Sequence, residues 1–71
     1  MYSIRLKPNI IKHIALEKHI NQGEIAERSG ISRPTLSAIS NGKTCKYATV
    51  KAIAEALEVD VEELIESRDR R

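Results

Sequence analysis

Apolar residues recur along this chain in two rhythms. Over residues 1–7 they alternate, with Tyr2, Ile4 and Leu6 set against Ser3, Arg5 and Lys7. That period of two predicts a short strand. From Pro8 onward the spacing turns helical. Pro8 and Asn9 open a first helix whose stripe is Ile10, Ile11, Ile14 and, further on, Ile20. Leu16 falls off that stripe and is expected to be exposed. Thr49 to Leu57 forms a later helix with Val50, Ile53, Ala54 and Leu57 on one face, after a loop over Lys43–Tyr47. Glu58 and Val59 make the next turn. Asp60 with Glu63 then predicts a capping box for a last helix running to Ile65. Ser67–Arg71 reads as a polar, charged, frayed tail. No second strand is evident, so three readings of residues 1–7 stay open. They pair with a second copy of the chain, form a basic arm that touches a ligand, or lie extended over their own core.

Between these elements lies QGEIAERSGISRPTLSAISNG, Gln22–Gly42, whose residue types specify two short helices and a tight turn. Asn21 suits an N-cap, and Glu24, three residues on, can reach back to complete a capping box. Gly30 follows Ser29 where a helix must end, and glycine adopts positive φ at least cost. Ser32 suits the next cap, and Pro34 falls in the first turn, where its missing N–H is no loss. Leu36 and Ile39 share a face, and Gly42 stops the helix. Ile25, Ile31, Leu36 and Ile39 then form a small core, and Ala26 lets the helices cross closely.

These residues resemble the helix-turn-helix of the XRE family, the Cro and phage-repressor type of transcription factor. Gln22, Ala26, Gly30, the Ile31-Ser32 step, Leu36, Ile39 and Asn41-Gly42 fall where that pattern wants them. Thr49–Leu57 looks like the family's fourth helix and Asp60–Ile65 like its fifth, so the resemblance spans about residues 9–66. Three features depart from it. Gly23 replaces a polar residue, Ala15 stands where Arg is common, and the Cys45-Lys46-Tyr47-Ala48 loop lacks a Pro-Ser pair. The implied fold is all-α, a compact five-helix repressor-like DNA-binding domain with a short N-terminal strand. The expected organisation is an arm or strand over 1–7, a helix-turn-helix domain over 8–66 with its recognition helix at about 32–41, and a charged tail over 67–71.

Composition narrows the alternatives. A chain of 71 residues makes one domain and buries only about 60% of its unfolded surface. With no Trp or Phe, the core must be aliphatic. One cysteine forms no intrachain disulfide, which suits a reducing compartment. No apolar run reaches the roughly 18 residues of a membrane span and no signal peptide is evident, so a cytoplasmic protein is expected, and the resemblance implies that it is bacterial or phage-encoded. Net charge is only +2, but residues 1–51 carry nine Lys/Arg against three Asp/Glu, and residues 52–71 carry three against seven. The positive excess sits on the half of the chain that holds the motif, as expected of a DNA-facing side.

With Leu36 and Ile39 inward, the outward set is Ser32, Arg33, Pro34, Ser37, Ala38 and Asn41, positions that include those where the family contacts bases. Arg33 offers two donors to the O6 and N7 of guanine, or one contact to a phosphate. Ser37 bonds several bases, Pro34 and Ala38 suit a thymine methyl, and Asn41 reads adenine, binds phosphate or caps. By resemblance Gln22 contacts phosphate. Gly23, Thr35, Lys43, Thr44 and Lys46 are similar candidates, Gly23 either through exposed backbone N–H groups or not at all. His13 and His19 are six apart and make no metal set with one distant cysteine. Cys45 reads as a spare thiol, and Glu55, Glu58, Glu62, Glu63 and Glu66 as a solvated acidic face. No cofactor and no enzymatic chemistry are expected. The expected function is a transcriptional regulator, a repressor binding a palindromic double-stranded DNA operator as a homodimer. Val59, Val61, Leu64 and Ile65 supply apolar surface for its dimer contact. The alternatives are an antitoxin with a protein partner on its C-terminal helix, and a helix-turn-helix used only for protein interaction.

Overall fold

The structure is a computed structural model that describes the backbone of residues 2–70 and the side-chain surroundings of residues 3–66; Met1 of the arm and Arg71 of the tail lie outside the described residues. The order is β1 (Tyr2–Leu6), α1 (Ile10–Lys18), α2 (Gln22–Ser29), α3 (Arg33–Ser40), α4 (Tyr47–Leu57), α5 (Val61–Leu64) and β2 (Ile65–Arg70). The five helices and the N-terminal strand are as expected. The second strand is not.

One aliphatic core unites these elements. Ile4 and Leu6 of β1, Ile11 and Ile14 of α1, Ile25 of α2, Leu36 and Ile39 of α3, Val50, Ile53 and Leu57 of α4, and Leu64 of α5 are all buried. Burying each such side chain stabilises the fold by about 1.5–3 kcal/mol before the cost of ordering it. α4 sits centrally, packing on α1, α2, α5 and β1. Ile31 and Ile20 pack on the core half-buried, and Leu16 is exposed as its position off the stripe requires.

Two expectations fail at the C-terminus. Residues 67–70 of the expected frayed tail instead belong to β2, which pairs antiparallel with β1 from Tyr2↔Arg70 to Leu6↔Ile65. The register slips between Arg5 and Leu6, which leaves Glu66 as the extra residue of a bulge. β1 therefore pairs with its own chain, and its other side meets the loop through Ile4 N–H to Cys45 O and Cys45 N–H to Ile4 O, both 2.9 Å. Of the three readings of residues 1–7, the one that lays them over their own core matches this arrangement. The second failure is the surplus of apolar surface near the C-terminus. Leu64 is fully buried, and Val59, Val61 and Ile65 pack partly buried against the same core. None of these four side chains is more than partly exposed.

Candidate nucleic-acid interface

Local chemistry sets the pose of the two motif helices. The Asn21 side chain accepts from Glu24 N–H at 2.8 Å and caps α2. The reciprocal half of the expected box is not made, because the Glu24 carboxylate accepts instead from Arg28 Nη2 at 2.8 Å. Arg28 also reaches Ala56 O at 3.4 Å and Glu58 Oε2 at 3.5 Å, which ties α2 to the end of α4. Gly30 closes α2 at φ 74°. Ser32 occupies the N-cap of α3 with Pro34 in the first turn, yet its hydroxyl shares a 2.9 Å hydrogen bond with Thr35 Oγ1 rather than capping a backbone N–H. After Asn41, Gly42 takes φ 107° and Lys43 N–H returns to Ala38 O at 3.0 Å. The Asp60/Glu63 box of α5 closes from the glutamate, with Asp60 N–H donating to Glu63 Oε2 at 3.2 Å.

α3 is anchored by Leu36 and Ile39 and packs on α2, α1 and β1. Its remaining faces hold the expected base-reading set. Ser32, Arg33, Pro34, Ser37 and Asn41 are exposed, whereas Ala38 is half-buried. Among the expected phosphate contacts, Gln22, Thr35, Lys43, Thr44 and Lys46 are exposed and Gly23 is half-buried. Gln22 is the first residue of α2 and Lys46 the N-cap of α4, so each stands at the positive end of a helix. Arg33, Lys43 and Lys46 take no part in the side-chain pairs that join His13 to Glu17, Glu24 to Arg28 and Arg28 to Glu58.

Three features escape a sequence reading. α4 begins at Tyr47, two residues before the expected start, so Tyr47 is an exposed aromatic in a helix's first turn beside Lys46 rather than a loop residue. Its signal was present, since Lys46 precedes an unbroken run of helix-compatible residues, but the aromatic obscured it. The second is the approach of the Arg33 guanidinium to Gly23 across the α2–α3 gap. No local pattern reports such a contact between two helices. The third is an open groove of about 300 Å³ lined by Lys12, Ala15, Leu16, Ile20, Asn21 and Gln22, beside the start of α2. It gathers no acid–base pair, and its walls are largely hydrocarbon.

Cys45 is half-buried, and burial pushes its thiol above the ordinary value. Its backbone bridges to Ile4, which gives the residue a place in the fold. His13 pairs with Glu17 at 3.3 Å on the surface, and His19 is the exposed C-cap of α1. Glu55, Glu58, Glu62, Glu63 and Glu66 are exposed. Among the described residues no group of three or more His, Cys, Asp or Glu side chains is placed to hold a metal ion, and no helix is long and apolar enough to cross a membrane.

Residues 10–69 match the model of the Cro/C1-type HTH DNA-binding domain. Over 57 residues the chain is 37% identical to an uncharacterized HTH-type transcriptional regulator of Coxiella burnetii, a match covering 78% of this chain and 26% of that protein. The chain thus spans about a quarter of the length of this curated relative. No solved structure matches.

Proposed function

Since the chain belongs to the Cro/C1-type HTH DNA-binding domain family, we propose that it is a sequence-specific transcriptional regulator, a repressor that occupies a palindromic operator as a homodimer. The observation that carries this reading is the outer face of α3. Leu36 and Ile39 lock the helix to the core, and Arg33, Pro34 and Ser37 are left exposed. Such short or forked side chains near a helix start suit the major groove. Gln22, Lys43, Thr44 and Lys46 flank that face and supply phosphate contacts, with the first turn of α4 at Tyr47 as a further clamp.

The eight residues of α3 span only about 12 Å, so one copy reads a single half-site. Two copies on half-sites about 34 Å apart, or a multiple of that, read an operator. Among the described residues the large apolar side chains left exposed are Leu16 and Tyr47. A contact built on so little apolar surface favours a dimer that forms on DNA rather than one stable alone. Repression then follows from occupancy of a promoter.

The test is selection of bound DNA from a random duplex library at about 0.15 M salt, where non-specific affinity is only about 10⁻⁴–10⁻⁶ M. The expected product is a palindrome carrying a G·C pair. Arg33→Ala should lose its preference for that pair, weakening the selected duplex by about 1–3 kcal/mol, roughly 5–150-fold, with little effect on non-specific duplex. Recovery of no enriched sequence would sink the reading.

A further inference from the structure

Gly23 occupies a place where glycine has no backbone reason to be. Gly30 and Gly42 have positive φ and open space around the missing Cβ. Gly23 lies inside the first turn of α2 and is not among the positive-φ residues. Helix propensity alone therefore argues for almost any other residue there. What distinguishes it is its surroundings. A Cβ at residue 23 would lie 2.6 Å from Arg33 Nη2, 3.1 Å from Asn21 Oδ1 and 3.6 Å from Arg33 Cζ. Ordinary non-bonded contact is about 3.5–4.0 Å, so even a methyl group would push the guanidinium away by about 1 Å. The end of an arginine moves at low cost, so the fold would survive while the arginine would not keep its seat.

Charge gives the seat no stabilising role. It lies at the positive end of α2, and Arg33 also begins α3. Glu24, the acid in the first turn of α2, is committed to Arg28. A cation so placed is presented to an acceptor from outside the chain. We propose that Gly23 is a positioning residue that acts through Arg33: by lacking a side chain it leaves room for the guanidinium against the first turn of α2 and so admits the approach from which it reads its base. This rests on the reading of Arg33 as a base-contacting residue, and the test separates the two.

The experiment measures binding of the full chain, and of Gly23→Ala, Arg33→Ala and the double variant, to the selected duplex and to duplexes changed one base pair at a time. Thermal melts accompany each protein. Gly23→Ala should melt within about 6 °C of the wild-type temperature, since the helix preference of alanine is opposed by the crowding of the Asn21 cap oxygen. Its affinity for the selected duplex should fall about tenfold, with the loss confined to the base pair that Arg33→Ala also stops reading. The double variant should bind like Arg33→Ala within about twofold, because the glycine acts only through the arginine. Unchanged preference in Gly23→Ala, a loss spread evenly over all duplexes, additive losses in the double variant, or a melting temperature lowered by much more than about 6 °C would each overturn the proposal. If Arg33→Ala itself keeps every preference, the base-reading role falls, and that result appears in the single variant without reference to Gly23.

Discussion

Three helices end on a residue in the left-handed conformation, and only one of those residues is glycine. α1 ends on His19 at φ 57°, α2 on Gly30 at φ 74° and α4 on Glu58 at φ 58°. At His19 and Glu58 the following N–H closes the end, Ile20 N–H donating to Ala15 O at 2.9 Å and Val59 N–H to Ala54 O at 3.0 Å. A side chain in this conformation costs about 1 kcal/mol that glycine avoids. Glu58→Gly should therefore raise the melting temperature by about 2–6 °C. The backbone carbonyl of Glu58, which accepts from Lys18 Nζ at 2.9 Å, survives the change. The Arg28 pair is lost, but the Glu58 side chain is 71% exposed, so that pair contributes little. A melting temperature that fell instead would show that the pair outweighs the backbone strain.

At the level of elements, the helices that bury a face were legible and the ones decided by partners were less so. α3 could be read because Leu36 and Ile39 stand three apart between Pro34 and Gly42, local signals that agree with its packing. β1 could be read because Ile4 and Leu6 alternate with Arg5 and Lys7. β2 could not, since Ser67-Arg68-Asp69-Arg70 has no apolar residue to alternate. Its strand is set by the backbone ladder that β1 offers from the other end of the chain. The same reason hid the seat of Arg33: the exposed set on α3 follows from period and caps, but which neighbour a side chain meets depends on how α2 and α3 cross. Removing residues 67–71 should strip most of the ladder from β1 and loosen the cover that Ile4 and Leu6 lay on the core. At about 1 kcal/mol for each hydrogen bond lost, a cost of about 2–4 kcal/mol is expected, readable as a shift in the urea midpoint at unchanged slope. An unshifted midpoint would mean that the ladder contributes nothing to stability.

Across the whole molecule, charge is divided along the chain. The positive excess lies in residues 1–51, where Arg33 opens α3 and Lys43 and Lys46 follow it, and the acids gather from Glu55 onward. Binding to duplex DNA should consequently fall steeply with salt, by about −0.9 in the log–log slope for each phosphate neutralised. Lys43→Ala and Lys46→Ala should each flatten that slope by about one and weaken all sequences alike, in contrast to Arg33→Ala. A slope unchanged in both would remove these lysines from the phosphate contacts. The pairing of Tyr2 with Arg70 has a consequence of a different kind. It brings the two ends of the described chain to one edge of the small sheet, so that anything joined before the first strand and anything joined after the last would depart from the same spot. A linker of a few residues would suffice to close this protein into a ring, or to thread it whole into a surface loop of another.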